Sequence, residues 1–517
     1  MDNVDIINKT CKLTGINRIN AKTVNVEDDN VWNSIQNNTD LIFQVSGNFG
    51  SQTIRKIFSK ESQNKIFKSL NNFTRMDLFA FTNALLRPCG KSIYNDAVNG
   101  NAHITNVKEI DNLLSSELGY PLFQETQMEF VMKFCGYSFL EADHLRKVIG
   151  KKLGTRDELP IIKKGFEENA KKTFNLTDKE SDAIINPFLQ CILDATRYSF
   201  CRIHAYSYSY IGYICAYLRY YYPVEYATAC LNVWQGKEEK TKEATEYCKN
   251  VNIKIKEPVF RHGRPEYSSD SEHREVYKGM KSIKYLNDDC SNGLYLFRDN
   301  IYSTFSDLLY DVFHDKQCKI NTKQLEILIR LDFFKEFGNS NELLYIYENF
   351  QKFKNGDAKS FSKSKTNPES TLYSILKRNS TETEKTFTKL NTMNIVREIE
   401  EYIKCQNLKD IPIRKKMETQ KEYLGYINLV TEKLEDRPKI IVLEKRALIA
   451  KTGKNAGKPW CVVIDGQSIG SGKKSSYTIY YNTYIYNKFE EFDVIRIKDW
   501  HKKNGYYYID KYEKEFE

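Results

Sequence analysis

The sequence lacks the cysteine spacings that mark disulfide frameworks and zinc ribbons. None of its 12 cysteines belongs to a C-x-x-C pair, and no secretory leader precedes Cys11. Neither a disulfide-stapled secreted protein nor a structural zinc site is therefore predicted. Scattered cysteines of this kind are typical of a reducing compartment, so we expect a cytoplasmic protein.

The sequence also lacks an apolar run that could span a bilayer. Its longest apolar stretch, residues 206–222, is broken by Arg219 and is rich in tyrosine, whose hydroxyls a bilayer core would leave without hydrogen-bond partners. Positive charge is in modest excess, since 78 Lys and Arg face 68 Asp and Glu. This excess suits a polyanionic partner without requiring one.

The composition instead provides material for several folded domains, because 41% of the 517 residues are hydrophobic and 13% are aromatic. Residues 1–235 alternate helical apolar patterns with polar breaks; at residues 28–36, for example, two acids precede an amphipathic run, as at a helix N-terminus. Residues 240–251 and 322–333 carry further helical patterns. The fold class predicted for this part is mainly α-helical.

The last third of the chain changes character twice. Residues 354–389 are rich in Lys, Ser, Thr, Asn and Glu, a composition that predicts a flexible linker. Beyond Pro438 the apolar residues follow period two, at 440–443, 460–464, 477–481, 494–497 and 506–509. Five short strands separated by Gly, Asn and Lys turns predict a small C-terminal β-barrel such as an OB-fold.

A cluster of four cations occupies residues 145–152, which read LRKVIGKK. The cations fall within two helical turns, and Gly150 frees the backbone beside the second pair, as would suit a bound triphosphate. A solvated basic helix face explains the same pattern.

A second block, residues 200–205, reads FCRIHA and leads into a tyrosine-rich apolar helix. Arg202 and His204 stand at the start of that helix, where the helix dipole and the side-chain charge would both favour an anion. The alternative is a structural histidine followed by core tyrosines.

The order of these segments resembles the fingers of the DNA polymerase III alpha subunit, the bacterial replicative DNA polymerase of family C. That family carries Y-Q-E-Q-x-M, G-Y-x-x-x-x-A-D-x-L-R-R-A-M-G-K-K, F-N-K-S-H-A and Y-P-x-E-F segments in this order and at similar spacing. Here the corresponding residues are 119–128, 136–139 with 142–143, 145–152, 200–205 and 222–226. The resemblance implies a bacterial cell or a virus-infected bacterial cell as the source.

The resemblance extends over nearly the whole chain except the linker. Upstream, the family's stretch that leaves the palm resembles residues 4–7, its F-Q-x-E segment resembles residues 43–44, and its R-P-G-P turn resembles residues 87–88. Downstream, its helix-hairpin-helix region resembles residues 251–258, 279–286 and 320–338. Its lead into the OB domain resembles residues 420–426. The implied domains are fingers at 1–235, a helical, degenerate helix-hairpin-helix region at 236–345, a linker and helical lead-in at 346–435, and an OB-fold at 436–517.

The resemblance implies which residues face the incoming nucleotide. The dNTP contacts would come from Arg146, Lys147, Lys151, Lys152, Arg202 and His204, with Gln124 and Glu125 shaping the same face. Lys147 and Arg202 stand where the family usually has Arg and Lys, and these two side chains are not equivalent in hydrogen-bond geometry.

The barrel and one fingers residue are candidates for DNA binding. The cations Lys451, Lys454, Lys458, Lys473 and Lys474 with Trp460 would bind a single strand by charge and stacking, and Arg87 of the R-P turn is a further candidate. The alternative places Trp460 in the barrel core. The helix-hairpin-helix loop, residues 283–289, has two acids and no glycine, so duplex binding there is doubtful, and no clamp-binding segment is evident between residues 343 and 424.

The chain lacks the paired P-D-x-D acids with which this family holds its catalytic Mg²⁺ ions. Asp2, Asp5, Asp28 and Asp29 do not reproduce that pattern, so no catalytic or metal-binding residue is predicted in this chain. We expect one half of a split replicative polymerase, with primed DNA and dNTPs as ligands and the Mg²⁺ ligands on a palm-bearing partner chain. The alternative is a non-catalytic remnant that binds single-stranded DNA or a replisome protein.

Overall fold

The computed structural model describes residues 2–151, 154–196, 200–353, 360–429, 434–450, 452 and 456–515. Its contacts divide the chain into two compact units, Met1–Ile255 with Ser269–Val276, and Lys256–Ser268 with Tyr277–Glu517. The first unit is helical, and the second combines helices with a closed barrel. The predicted fold class is confirmed.

The first unit is built from helices joined by short turns. These helices are α1 (Asp2–Thr14), α2 (Asp29–Asn37), α3 (Asn48–Ile57), α4 (Lys60–Ser69), α5 (Arg75–Leu85), α6 (Tyr94–Val98), α7 (Lys108–Leu114), α8 (Gln124–Phe134), α9 (Phe139–Lys151), α10 (Thr155–Phe166), α11 (Asp178–Ala195), α12 (Arg202–Tyr221), α13 (Pro223–Val233) and α14 (Glu238–Asn250). No helix in the described ranges is long and apolar enough to cross a membrane.

Local capping explains why α2 begins where the acidic pair predicts a helix start. The Asp28 carboxylate accepts hydrogen bonds from the backbone N–H groups of Asn30 at 2.9 Å and Val31 at 3.4 Å. These two donors have no partner within the helix. Asp29 forms an ion pair with Arg75 of α5 at 2.5 Å, so both acids have structural partners.

Helix α12 is the central element of the first unit, packing against α1, α2, α5 and α13. Tyr213 in its middle is fully buried, with its ring centre 4.7 Å from that of Trp32. Gly212 allows the helix to approach α5, because a Cβ atom there would lie 3.2 Å from the Phe79 ring. Large aromatic side chains thus enclose the middle of α12 in the core.

The C-terminal part of α12 is fixed by a buried arginine. The Arg219 guanidinium donates hydrogen bonds to the carbonyl oxygens of Asn38 (2.6 Å), Asp40 (2.7 Å) and Ser34 (3.1 Å). Only 5% of Arg219 is exposed, and burial lowers the pKa of the guanidinium. Arg219 therefore joins α12 to the end of α2 and to the turn that follows it.

The second unit begins with a helical part and one small sheet; most residues of a further small sheet, at residues 254–256, 268–270 and 275–277, belong to the first unit. Its helices are α15 (Asp288–Tyr295), α16 (Phe305–His314), α17 (Thr322–Arg330), α18 (Ser340–Phe353), α19 (Thr371–Arg378), α20 (Thr392–Cys405) and α21 (Ile413–Tyr423). Strands β1 (Lys254–Lys256), β2 (Ser268–Asp270) and β3 (Glu275–Tyr277) pair in the order β1-β3-β2, and β4 (Ser360–Ser362), β5 (Thr381–Glu382) and β6 (Thr386–Thr388) pair in the order β4-β6-β5.

The structure differs from the predicted flexible linker over residues 360–389. Ile375, Leu376 and Phe387 are buried in the same core as Phe305 and Ile399, while the polar residues between them face outwards. Composition alone predicts disorder because apolar side chains are sparse there. Those few side chains are enough to hold α19 and the β4–β6 sheet on a core that the neighbouring helices supply. Residues 354–359 of the predicted linker lie outside the described ranges.

The C-terminal barrel contains the five strands that period-two alternation predicts. They are β7 (Lys439–Ile449), β8 (Pro459–Ser468), β9 (Lys474–Tyr480), β10 (Val494–Lys503) and β11 (Tyr506–Glu515), with α22 (Tyr481–Tyr486) after β9. The barrel closes in the order β10-β11-β9-β8-β7. Strands β9 and β11 run parallel and the other pairs run antiparallel. Inward-facing aliphatic side chains such as Ile464 and Ile509 form its core, as in an OB-fold.

The role of Arg219 gives a stability prediction. Replacing Arg219 by leucine removes its hydrogen bonds to three carbonyl oxygens, and we expect the free energy of unfolding to fall by about 3 kcal/mol. Urea unfolding followed by circular dichroism measures this change. The matched control is Arg55→Leu on the exposed side of α3, which should change stability by no more than about 0.5 kcal/mol. Equal effects of the two substitutions would contradict the anchoring role.

Candidate functional site

Segments that lie far apart in the sequence meet at the N-terminus of α12. Phe123 and Phe200 form a parallel β-bridge, and the Gln124 N–H donates to the Phe200 carbonyl oxygen at 3.0 Å. The Arg87 guanidinium lies 5.6 Å from the Phe200 ring centre and donates to the side-chain oxygen of Gln44. Four of the segments that carry the sequence resemblance thus form one surface.

Glu125 caps the first turn of α12. One carboxylate oxygen accepts from the Arg202 backbone N–H at 2.9 Å, and the other accepts from the Cys201 thiol at 2.9 Å. From the sequence, we expect the dipole at this helix start to favour an external anion. The structure differs, because a carboxylate of the protein already occupies this position, so an incoming phosphate would have to use side-chain donors.

The Arg202 side chain is held by a buried acid that sequence analysis does not identify. Its Nη2 donates to Glu117 Oε1 at 3.1 Å and to the Thr126 hydroxyl, while 31% of the side chain remains exposed. Glu117 is completely buried, and burial raises the pKa of its carboxyl group to about 7. No sequence signal marks Glu117, because it lies in an ordinary polar turn and its burial depends on α8 and α12.

His204 belongs to a chain of aromatic contacts along the exposed side of α12. Its ring centre is 3.7 Å from that of Tyr208 and 5.5 Å from that of Phe200. Tyr208 in turn contacts Phe43 at 5.0 Å. His204 itself is exposed, so it is available to a ligand while its ring is held in place by its neighbours.

The cations of α9 are partly neutralised within their own helix. Arg146 donates to Asp143 Oδ1 through Nε at 3.0 Å and Nη2 at 2.8 Å, and Lys147 lies 2.7 Å from Asp143 Oδ2. Hydrogen bonds from Lys147 and Arg146 lower the pKa of Asp143. Lys151 is exposed at the end of α9, and Lys152 lies outside the described residues.

The structure does not join the two predicted cation groups directly. Arg146 and Lys147 lie on α9 and Arg202 lies on α12, and no hydrogen bond, ion pair or ring contact between them is found in the described parts of the chain. Arg202 does border two cavities. One of about 590 Å³ lies between α1 and α12 and is largely apolar, with Val4, Ile203 and Tyr210 in its wall. The other, about 840 Å³, is lined by polar residues including Glu129 and Lys133.

The predicted helix-hairpin-helix loop, residues 283–289, makes a sharp turn without glycine. Tyr285 adopts φ +71°, the left-handed region that usually favours glycine, and its ring lies 3.8 Å from the Lys323 ammonium. Asp288 and Asp289 occupy the first turn of α15, and Asp288 forms an ion pair with Lys281 at 2.9 Å. These acids lie where a phosphate would approach the helix N-terminus, and their negative charge would repel it. Weak duplex binding by this loop therefore remains a prediction.

The predicted DNA-binding residues of the barrel do not form one group. Trp460 is 42% exposed and is therefore not a core residue; it lies next to the exposed Lys458 at the start of β8. Lys474 pairs with Gln467 at the other end of the β8–β9 ladder, about 23 Å away at the usual rise per strand residue. Lys473 and Lys474 are thus separated from Trp460 by the length of the strands. Lys451 and Lys454 lie outside the described residues.

An exposed aromatic surface on the barrel is absent from the sequence prediction. Trp500 is 55% exposed and Tyr506 is 66% exposed, on the hairpin formed by β10 and β11. Tyr508 stacks between His501 at 5.1 Å and Tyr480 at 5.6 Å, and Tyr480 pairs with Cys461 beside Trp460. Lys502 and Lys503 on the same hairpin are exposed. In the sequence, the three consecutive tyrosines of residues 506–508, after a Lys-Lys-Asn-Gly turn, are the pattern that could have indicated this surface.

Comparisons with known proteins agree with the sequence resemblance. A family described as the bacterial DNA polymerase III alpha subunit finger domain matches residues 3–173. The matched residues include Gln44, Arg87, Glu125 and the α9 cations, while Arg202 and His204 follow them.

Curated relatives cover more of the chain. DNA polymerase III subunit alpha of Campylobacter jejuni is 25% identical over 335 residues, which make up 63% of this chain and 26% of the relative. The Bacillus subtilis protein of the same name is 27% identical over 294 residues, 56% of this chain and 25% of the relative. The Ureaplasma parvum protein of the same name is 27% identical over 228 residues, which make up 44% of this chain and 22% of the relative. The chain spans about a quarter of the length of these relatives. The chain is therefore similar to the DNA polymerase III alpha subunit, and its residues 3–173 are similar to the finger domain of that family.

Proposed function

We propose that this chain acts as the fingers and DNA-binding half of a replicative DNA polymerase. With a palm-bearing chain it adds dNTPs to a primer 3′ end as a template directs. The observation that carries the proposal is the convergence of Gln44, Arg87, Glu125 and Arg202 at one helix start, together with the finger-domain match. Such a reaction takes place beside the chromosome, in the cytoplasm of a bacterial or virus-infected cell.

The nucleotide face would recognise a triphosphate through charged side chains. Arg202 offers a guanidinium that is fixed on one side and partly exposed on the other. Arg146, Lys147 and Lys151 add cations from α9, and a triphosphate that approached Arg146 and Lys147 would compete with Asp143 for them. Charge-assisted hydrogen bonds of this kind favour phosphate oxygens strongly. Gln124 and His204 lie at the same helix start and would border the ligand.

The proposal assigns the Mg²⁺ ligands to the palm-bearing chain. Within the described ranges no group of three His, Cys, Asp or Glu side chains could hold a metal ion. The N-terminal acids also have other partners: Asp2 pairs with Lys237, and Asp28 caps α2. When bound on the palm, Mg²⁺ would activate the primer hydroxyl and stabilise the leaving pyrophosphate. The residues described here would position the nucleotide and the template.

Primer extension tests this proposal directly. A labelled primer on a template is incubated with Mg²⁺ and four dNTPs in three reactions: this chain alone, a palm-bearing candidate chain from the same genome alone, and both chains together. We expect extension only in the mixture. Extension that does not depend on this chain would contradict the proposal.

A second candidate function is single-strand binding without catalysis. The exposed aromatic hairpin of the barrel, with Trp500 and Tyr506, favours it, because unpaired bases stack on such surfaces in sequence-independent binding. No extension in any reaction, together with retained binding of single-stranded DNA by this chain, would support this second function over the first.

The α9 cations give a kinetic prediction. Replacing both Arg146 and Lys147 by alanine removes donors to the triphosphate, so the KM for dNTP should rise roughly tenfold or more in the reconstituted enzyme. The matched control removes two lysines from α10, Lys163 and Lys164, which pair with Asp182 and Glu168 on the surface. Unchanged kinetics in the α9 variant, or an equal change in both variants, would rule out triphosphate contact by α9.

The barrel hairpin gives a binding prediction. Trp500→Ala and Trp460→Ala should each weaken the binding of an oligothymidylate by about 1 to 3 kcal/mol, because each removes an exposed stacking surface. Fluorescence anisotropy measures the affinity, and circular dichroism checks that the barrel remains folded. Tyr345→Ala, at a 49% exposed position on α18, is the control and should leave binding unchanged. Losses no larger than that of the control would assign the strand to another surface.

A further inference from the structure

We propose that Glu117 is a positioning residue for the nucleotide face, holding the Arg202 guanidinium so that its unbonded edge is presented to the triphosphate. This inference rests on the proposed function, because it takes Arg202 as a nucleotide contact. Glu117 itself cannot touch a nucleotide, since it is completely buried. It acts through Arg202.

Both oxygens of the Glu117 carboxylate have fixed partners. Oε2 accepts from the Phe123 backbone N–H at 2.9 Å, and Oε1 accepts from the Thr126 hydroxyl and from Arg202 Nη2 at 3.1 Å. Phe123 and Thr126 flank the first turn of α8, next to Glu125, which caps α12. The carboxylate therefore joins the start of α8 to the arginine at the start of α12.

Arg202 uses only one of its nitrogens for this contact. Nη2 donates to Glu117 and Thr126, while Nε is buried without a hydrogen-bond partner and no hydrogen bond of the described residues involves Nη1. The planar guanidinium can thus keep one nitrogen on the carboxylate and offer another to a phosphate oxygen. An ammonium group is a single point charge and cannot divide its contacts in this fixed geometry, which gives a physical reason for arginine here, where related fingers usually have lysine.

The energetic effect comes from preorganisation. A buried carboxylate is stable only with a counter-charge and hydrogen bonds, so Glu117 restricts the rotamers of Arg202 before any ligand arrives. A side chain that is already ordered loses less conformational entropy when it binds. Arg202 should therefore contribute more to nucleotide affinity with Glu117 in its charged form than without it.

The position of Glu117 also makes this effect sensitive to pH. Burial raises the pKa of Glu117 to about 7, although Arg202 and the hydrogen bonds from Thr126 and Phe123 oppose the shift. The other titratable groups that face it are Tyr206, which hydrogen-bonds Asp77, and Cys191, which lies near Asp194. Burial raises the pKa of both Tyr206 and Cys191, so both stay neutral near pH 7. Protonation below about pH 7 would remove the counter-charge of Arg202 and weaken triphosphate binding.

Glu117→Gln on the full chain tests the inference with little change in size. The glutamine amide has one oxygen and one NH₂ group, so it can accept on one side only. In one orientation the NH₂ group faces the Phe123 N–H, and in the other it faces Arg202 and Thr126, which donate to Glu117. Calorimetry with a dNTP and Mg²⁺ between pH 6 and 8.5 should give about tenfold weaker binding than wild type at pH 8. The difference in affinity between the two proteins should shrink below pH 7, where wild-type Glu117 is protonated. Because both proteins are compared at the same pH, the titration of the nucleotide itself cancels.

A double-mutant cycle separates positioning from a general structural effect. In an Arg202→Ala background, Glu117→Gln should cause no further loss of affinity, because there is no arginine left to position. The control Glu61→Gln, on α4 and 80% exposed, should bind like wild type. Equal binding by Glu117→Gln and wild type, or fully additive losses in the double variant, would overturn the inference.

Stability measurements keep this result distinct from the proposed function. Because the folded-state pKa of Glu117 is raised, the folded protein holds this proton more tightly than the unfolded chain, and stability should fall as pH rises from about 4.5 to 7. Glu117→Gln should reduce the pH dependence of the free energy of unfolding, as measured with urea. An unchanged pH dependence would contradict the raised pKa of Glu117. A wild-type chain that binds no triphosphate would overturn the proposed function and the positioning role together. Binding that is equal in wild type and Glu117→Gln would overturn the positioning role alone.

Discussion

The first unit depends on how the two ends of α12 are fixed. At its start, Glu125 accepts a hydrogen bond from the Arg202 N–H and Glu117 accepts one from the Arg202 side chain. Near its end, Arg219 donates to three carbonyl oxygens in the last turn of α2 and the turn after it. Charged groups with little or no exposure do this at both ends, and such groups are stable only when their partners are in place. The orientation of α12 is therefore tightly specified, and the residues on its exposed turn are placed with it.

This arrangement also determines the charge that a ligand would meet. Acidic side chains of the protein form ion pairs with most of the cations in the predicted nucleotide face. Asp143 pairs with Arg146 and Lys147, and Glu117 pairs with Arg202. A triphosphate that binds here competes with Asp143 for Arg146 and Lys147, shares Arg202 with Glu117, and does not meet bare positive charge. Affinity then depends on geometry, since a partner that fits several donors at once gains more than one that merely carries charge.

Local patterns predicted the parts of the fold that local physics controls. The start of α2 followed from Asp28, and the five barrel strands followed from period-two alternation. The linker prediction was wrong for residues 360–389, because Ile375, Leu376 and Phe387 find their core on distant helices. Glu117 could not be predicted, since its burial depends on α8 and α12 coming together. Lys473 and Lys474 were grouped with Trp460 because spacing along a chain does not show that an entire strand separates them.

The central claim is that the start of α12 receives the nucleotide. Photo-crosslinking of a photoreactive deoxynucleoside triphosphate to the chain, followed by peptide mapping, tests this placement most directly. The account predicts labelled peptides from the segments around Gln124 and His204, and loss of the label when an unmodified dNTP competes. Labelling confined to the barrel, or labelling that an unmodified dNTP does not reduce, would contradict it.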